Sequence, residues 1–560
     1  MRSCAVIGCG PAGMAACAAL RQNGLLVTCF DMHGEPGGMW SYNSRDLFSG
    51  RGCISPVFPS MRCILPKDLM SFSDVRFDYT AGQFLHHTMV KHYLTEQYAA
   101  QKGIRDCTRF NTKVESVRRA AQESTSAEGS PSWKLVTVNV KNGDVMEWSF
   151  DYVCVCTGQT HEVRFPTKLR EETLKDYVAS GGELHHSAYV KDFRSLRHKR
   201  VAVIGDGVSA YNMCSELRKF GADVIHSSMV PPSKATISPT ESRKARSKPP
   251  SKMVTEVRDV VTTFVEMCNR LPGWRNNVFQ ANQMILRWMR YSVQQMKEVK
   301  HVGKPLKSFQ DSKDILFAPD PSRVHSLEEI IKESQLRHLS NAKKEQETAD
   351  NDQEGELLTS IDTVISATGY TIRFPFLHPS VRKVVEEDTM LLLTGETAAE
   401  AGKTSLAQRR GLYMGTLYNE EPTLAFIGTQ KELLPPFLMF EAQARFIAFC
   451  FSQRVEVPPT PALRLEKEKE WVSVYEEGLR HLRREATEQS GGAEENWGLH
   501  SAAYYNILQQ MLEISSRDTY TTKIMERKKW FFYSALVRIY NKFRSMAPLK
   551  RKKTARPVQQ

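Results

Sequence analysis

The sequence predicts an α/β protein made of two nested Rossmann-like units, with a helical insertion in the second and a helical extension at the C-terminus. Two observations carry this expectation. A strand, glycine turn, helix and strand open the chain at Cys4, and the same succession restarts at Arg200. Short apolar runs at Thr112 to Val117, Trp133 to Val140, Tyr152 to Cys156 and Ile361 to Ala367 supply further strands.

Taken in order, the first unit reads as a strand from Cys4 to Ile7, a turn from Gly8 to Gly13, an Ala-rich helix to about Asn23, and a strand from Leu25 to Phe30. The polar, small-residue stretch Ala120 to Pro131 reads as a solvated loop. The second unit repeats the pattern with Val201 to Ile204, the turn Gly205 to Ala210, a helix to about Phe220, and Asp223 to His226. Ser233 to Lys252, rich in Pro, Ser and basic residues, predicts an exposed loop, and helical periodicity follows from Val254 to about Val299. Glu345 to Glu356 is an acidic loop, and helices are expected at Phe440 to Phe451 and over most of Leu463 to Glu513. The resulting boundaries are 1–165 and 346–455 for the two parts of the first domain, 166–345 for the second, and 456–560 for the extension.

Composition narrows the partners. A chain of 560 residues with 41% apolar content has room for two or three domains. Nothing in its first thirty residues reads as a secretory signal, and no stretch reaches the roughly eighteen apolar residues of a spanning helix. Twelve cysteines, several inside expected strands, look like small core residues of a protein in a reducing, cytoplasmic compartment. Their spacing predicts no structural metal. The net charge of +13 is concentrated at one end: from Lys523 onward twelve Lys or Arg face one acid, Glu526, which accounts for +11. A nearly neutral body argues against a nucleic-acid groove. In the tail, Trp530, Tyr533, Leu536, Val537, Tyr540 and Phe543 form an apolar helical stripe ahead of Lys550 to Lys553. That stripe either packs on the body or lies peripherally on an anionic membrane surface.

Gly8, Gly10 and Gly13 have the spacing G-x-G-x-x-G between strand and helix. The first allows a tight turn, the second lets backbone approach a pyrophosphate, and the third lets helix and strand pack closely. Asp31 stands eighteen residues after Gly13, where a carboxylate can accept ribose hydroxyls. Cys9, Pro11 and Ala12 complete this candidate dinucleotide site. In the second unit Gly205, Gly207, Ser209 and Ala210 repeat the turn, but the strand after it ends in His226, Ser227 and Ser228 with no acid. An acid there would repel a 2′-phosphate, so NADP is expected over NAD, with Lys234, Arg243 and Lys244 as candidate cations.

Further motifs make the combination resemble the flavin-containing monooxygenases, N- or S-oxygenating flavoproteins. Gly37, Gly38, Met39 and Trp40 are similar to that family's G-G-L-W, and Pro66, Lys67, Met70, Phe72 and Asp74 to its P-K-x-x-M-x-F-x-D. Gly181, His185 and Tyr189 resemble F-x-G-x-x-x-H-x-x-x-Y, with Ala179 where Phe is usual and His186 as a competing histidine. Ala367, Thr368, Gly369 and Tyr370 match A-T-G-Y, of which Thr157 and Gly158 look like an earlier copy. Phe374 to Leu377, Pro422 to Gly428, Glu441, Gln443 and Arg445 continue the likeness, which spans roughly Cys4 to Phe451.

The resemblance implies FAD at the first turn, with Gly38, Met39, Trp40, Thr157, Gly158, Thr368 and Gly369 also beside it, and NADP at the second. It implies that NADPH reduces the flavin and that dioxygen forms a hydroperoxyflavin, which oxygenates a soft nitrogen or sulfur of a small molecule, as an N,N-dimethylaniline monooxygenase does. Cys63 and Ile64 occupy the catalytic position where the family usually has Asn, and isoleucine cannot donate a hydrogen bond. Met229 stands near the usual phosphate-binding Arg. An NADPH oxidase and a non-catalytic dinucleotide-binding redox sensor or scaffold are the alternatives. A disulfide oxidoreductase would need a cysteine pair facing the flavin. A Baeyer–Villiger enzyme would have Trp-Pro where this chain has Tyr189 and Val190.

Overall fold

The computed structural model describes residues 1–41, 55–120 (apart from 64, 66, 68, 69, 79, 80 and 83), 133–165, 171–205, 207–227, 299–302, 306–309, 315–317, 356–358, 360–393, 411–429, 436–468 and 508. Ile64, Lys234, Arg243, Lys244, Met229, nearly all of the expected loops and of the helical run from Val254, and the C-terminal stripe lie outside these residues.

In chain order the first unit runs β1 (Ser3–Ile7), α1 (Pro11–Gln22), β2 (Leu26–Phe30), α2 (His87–His92), a π-helical stretch Tyr93–Tyr98, α3 (Ala99–Gln101), β3 (Thr108–Arg109), β4 (Thr112–Arg119), β5 (Trp133–Asn139), β6 (Val145–Phe150) and β7 (Tyr152–Val155). A short strand, β8 (Glu162–Val163), leads out of it. The second unit contains α4 (Glu171–Ala179), β9 (Glu183–His186), β10 (Arg200–Ile204), α5 (Val208–Lys219), β11 (Asp223–Ser227), β12 (Val299–Val302), β13 (Leu306–Phe309), β14 (Ile315–Phe317), β15 (Glu356–Leu358) and β16 (Thr363–Ser366). Then β17 (Tyr370–Thr371) returns the chain, and α6 (Pro379–Leu393), β18 (Leu412–Tyr413), β19 (Leu417–Tyr418), β20 (Leu424–Phe426) and α7 (Pro436–Phe451) complete the first unit. Residues 461–468 are helical, as the sequence predicts for the start of the extension.

Among the described residues the first sheet has the order β18-β19-β20-β7-β1-β2-β3 and the second β12-β11-β10-β16-β9. Both are wound on parallel cores, with β1 between β2 and β7, and β10 between β11 and β16. The strand alternation explains why these segments read as unbroken apolar runs. Cys4 and Val6 face a core shared with α1 and α7, while Ala5 and Ile7 face Val117, Trp133 and Leu135 of the antiparallel β4-β5-β6 sheet. With both faces covered, Cys4 to Ile7 are all buried. In β10, Val201 and Val203 face α5, and Ala202 and Ile204 face Tyr177 of α4. Each buried Val or Ile side chain here contributes about 1.5–3 kcal/mol.

One expected boundary moves. β15 pairs with β14, and β16 pairs with β10 and β9, so the second unit retains Thr363–Ser366 and the chain goes back to the first unit after that strand, not at 346. An apolar run suits either sheet equally well; only its register with Val201–Ile204 decides. The two crossings lie side by side, because β8 and β17 pair antiparallel through Tyr370–Val163 and Thr371–Glu162. A second tie is the segment around Phe58, whose ring meets Phe193 edge-on at 5.4 Å, while Ser60 Oγ donates to Glu216 of α5 at 2.6 Å.

Candidate functional site

The two glycine turns are copies of one structural element. Gly8 N–H donates to Phe30 O at 2.8 Å, and Gly205 N–H to Ser227 O at 3.1 Å. Beside each turn the neighbouring strand runs out into a Thr-Gly step. Cys156 N–H donates to Ile7 O at 2.8 Å and Ala367 N–H to Ile204 O at 2.7 Å, and Gly158 and Gly369 both adopt φ +85°. Gly8 (φ +96°) and Gly205 (φ +139°) are obligatory on two counts. Their backbones are in a region that disfavours side chains, and a Cβ would lie 2.7 Å from Cys156 O or 2.4 Å from Ala367 O.

What each turn can hold follows from what is left open. Neither α1 nor α5 has a side-chain cap, so, although Ala210 N–H is spent on Gly207 O at 3.0 Å, the leading N–H groups of both helices are left for an anion. Pro11 at the first position of α1 has no N–H to leave unpaired. Gly10 and Gly38 cross backbone to backbone, and a Cβ on Gly38 would meet Gly10 Cα at 2.9 Å. Next to Gly8, the Thr157 hydroxyl is buried and finds no hydrogen-bond partner among the described residues. At Gly158 and Gly207 an added Cβ would enter open space. Unpaired buried polar groups and open cradles of this kind fit two dinucleotides.

Asp31 is buried at the end of β2. Its Oδ2 accepts Cys9 N–H at 2.6 Å, and its Oδ1 takes His33 N–H at 2.8 Å and His33 Nδ1 at 2.9 Å. Three protein contacts leave one of its roughly four acceptor positions for a ribose. His33, unnoticed in the sequence, therefore shares the carboxylate expected to serve both ribose hydroxyls. Met39 O accepts from Ser55 Oγ at 2.8 Å, and Trp40 is buried in the core below the turn. Ala12 and Ala210 are buried under their turns, and Ser209 is half-buried. Cys63 is also a core residue, and burial pushes its thiol up to about 12, so it stays neutral and unreactive.

Thr368 and Gly369, expected beside the flavin, stand at the end of β16 against the Gly205 turn, in the position that Thr157 and Gly158 hold in the first unit. The reason is the same register that moves the domain boundary. Unlike Thr157, Thr368 is fully engaged: its hydroxyl contacts Ser366 Oγ at 2.7 Å and donates to Arg164 O, and its carbonyl accepts Arg164 Nε and Nη2 at 3.0 and 2.8 Å. Nothing local marks Arg164 in the sequence, since its partner is 204 residues away.

Of the two histidines on β9, His185 is only half-buried and lies 3.3 Å from Glu183, and Tyr189 is exposed. His186 is the one held at the site. It is 1% exposed, its Nε2 lies 3.0 Å from Gly369 O, and its Nδ1 accepts Ala188 N–H at 3.2 Å. These partners assign the Nε2–H tautomer. Burial lowers its pKa from 6.5 to about 4. Between those values the unfolded chain binds the proton and the native one does not, so stability falls as pH drops from 6.5 toward 4. Urea midpoints at about pH 7 and pH 5 should therefore differ less in His186→Gln than in the parent; an equal difference would remove His186 as the cause.

Comparison with known proteins agrees with this geometry. A family model described as flavin-binding monooxygenase-like matches residues 1–477. Flavin-containing monooxygenase 3 of Oryctolagus cuniculus is 27% identical over 458 residues, covering 81% of this chain and 75% of that one. Dimethylaniline monooxygenase [N-oxide-forming] 2 of Cavia porcellus is 26% identical over 455 residues, covering 81% and 74%. Among solved structures, Tmm from Pelagibacter sp. strain HTCC7211 superposes with a TM-score of 0.57 at 17% identity, covering 95% of this chain and 91% of its own. S-allyl-L-cysteine S-oxygenase from Allium sativum superposes at 0.54 and 19%, covering 95% and 99%. At those identities the likeness concerns the fold.

Proposed function

The chain belongs to the flavin-binding monooxygenase-like family, a family of FAD- and NADP-dependent enzymes, and from that premise we propose that it oxygenates a soft nitrogen or sulfur atom of a small molecule at the expense of NADPH and dioxygen. The observation that carries the reading is the pair of equivalent glycine turns, each opened for a pyrophosphate and each closed by a Thr-Gly step. The N-oxide-forming relative supports the choice of nucleophile.

The bound flavin supplies oxygen activation and the nicotinamide supplies the reducing equivalents. The protein's own part is to bind, orient and keep dry. Gly8 to Gly13 and the open end of α1 hold one pyrophosphate, with Asp31 and the Thr157 hydroxyl directed at the same ligand. Gly205 to Ala210 and the open end of α5 hold the other. The residue after β11 in the sequence is Ser228, with no acid at the strand's end, which suits a 2′-phosphate. His186 stays neutral and tethers Gly369, so the return crossing from the second unit is fixed next to its turn. No side-chain nucleophile is required. We place the enzyme in a reducing, cytoplasmic compartment, a reading supported by the ten free thiols among the described residues.

The test is spectroscopic and stoichiometric. Purified protein should be yellow, should release flavin on denaturation, and should consume NADPH and dioxygen while converting a tertiary amine or a thioether to its oxide. Peroxide formed one for one with NADPH, and no oxide, would make it an NADPH oxidase. Flavin retained without turnover would make it a sensor.

A further inference from the structure

The two glycine turns are not identical, and the difference lies at the carbonyl group of the first glycine in each. In the first unit the Gly8 oxygen fills the space that a side chain on Gly13 would take, 1.8 Å from where its Cβ would lie. In the second unit Ala210 holds the place of Gly13, and its methyl group is wholly buried there. Two atoms cannot share that space, so the Gly205 oxygen must stand elsewhere. The backbone records the change: Gly205 has φ +139° against +96° at Gly8. The start of α5 is tightened as well, with Ala210 N–H on Gly207 O at 3.0 Å, where α1 opens with Met14 N–H on Gly10 O at 2.9 Å.

The displaced oxygen is met by His226. Its Nε2 lies 2.9 Å from Gly205 O, and a carbonyl oxygen only accepts, so this ring nitrogen carries the proton and donates. His226 is wholly buried on β11, opposite Val203, and its ring stands edge-on to that of Tyr211, near the head of α5, at 5.3 Å. Strand, turn and helix thus meet on one imidazole. Cys29 holds the same register in the first unit, opposite Val6, and its Sγ lies 3.8 Å from Gly8 O. A thiol is a weak donor. It suffices there because Gly13 leaves the oxygen its room.

We propose that His226 is a positioning residue for the pyridine nucleotide: it holds the Gly205 carbonyl that Ala210 has displaced, and so keeps the second glycine turn open to a pyrophosphate. The proposal rests on the reading of that turn as the NADP site. Being wholly buried, His226 acts through Gly205 and not on the nucleotide itself. Without the imidazole N–H, the oxygen is barred from the helix side by the Ala210 methyl and turns toward the mouth of the turn, where its partial negative charge opposes the phosphates. The effect is confined to the second site, because the Gly8 turn is built on the other sheet.

The test is the dissociation constant of NADP+ on the flavin-loaded enzyme, measured by calorimetry beside the flavin-to-protein ratio of each preparation. His226→Val should weaken NADP+ binding about tenfold at an unchanged flavin ratio, whereas His226→Gln, whose amide N–H replaces Nε2–H, should restore most of the affinity. His226→Met gives the same readout should the valine disturb the core. In an Ala210→Gly background the oxygen regains its room, so His226→Val should cost about threefold or less. Parent-like binding in the apolar variants, a glutamine no better than valine, an equal loss in the Ala210→Gly background, or a loss of flavin in both apolar variants overturns the proposal. A parent enzyme that carries flavin but binds no NADP+ overturns the reading of the second turn itself, and the proposal falls with it.

Discussion

Gly13→Ala should yield protein that no longer carries flavin. A methyl group at this position would lie 1.8 Å from the carbonyl oxygen of Gly8, where real contacts do not come below about 3 Å. The oxygen cannot yield, because it belongs to a residue already fixed between Phe30 O and Cys156. Helix α1 must then lift away from β1, which disrupts the packing of Met14 and Ala16 on Cys4 and Val6 and displaces the first-turn N–H groups. Overpacking of this kind costs about 1–3 kcal/mol in stability, and at the cofactor the displacement is felt on every phosphate contact at once. The measurement is the flavin-to-protein absorbance ratio of purified variant, with circular dichroism to show that the chain has folded. Gly10→Ala is the control within the same turn: its methyl meets Gly38 Cα at 3.5 Å, an ordinary contact, so the fold should be unaltered and the flavin load reduced less. Full occupancy in Gly13→Ala would disprove the placement of the first pyrophosphate.

Gly207→Val should do the opposite kind of damage, leaving the protein yellow while its KM for NADPH rises about tenfold or more, a change of about 1.4 kcal/mol per decade. Gly207 has φ −84° and ψ 173°, extended values open to any residue, and a Cβ there touches nothing. The substitution therefore costs the fold little. What it does is fill the space at the head of α5 into which a dinucleotide phosphate must come. Steady-state kinetics against NADPH, beside the flavin absorbance of the same preparation, separates the two sites. An unchanged KM would mean that the second turn does not bind the pyridine nucleotide.

The parts of this design that were legible in the sequence are those fixed by short-range physics. Both glycine turns, their strands and their helices were readable because Gly8, Gly13 and Gly205 answer to backbone sterics within a few residues, and because Cys4 to Ile7 and Val201 to Ile204 are buried on both faces. What was not readable depended on pairing across long separations. Thr363–Ser366 is an apolar run with no mark of which sheet it joins, and with it went the placement of Thr368 and Gly369. The choice between His185 and His186 hangs on which one the pleat of β9 turns toward Gly369, a matter of one residue of register. Asp31 was visible as an acid at a strand end, but its sharing with His33 was not, since that contact forms only when the chain bends after β2. Arg164 offers no local signal at all.

The paired crossings β8 and β17 have a mechanical consequence. Two strands zipped together through Tyr370–Val163 and Thr371–Glu162 behave as a single strap, and Arg164 knots one end of it to Thr368. A strap flexes readily about the line across its width and resists sliding along its length. A swing of one lobe that pulled the two crossings apart would have to break these contacts first.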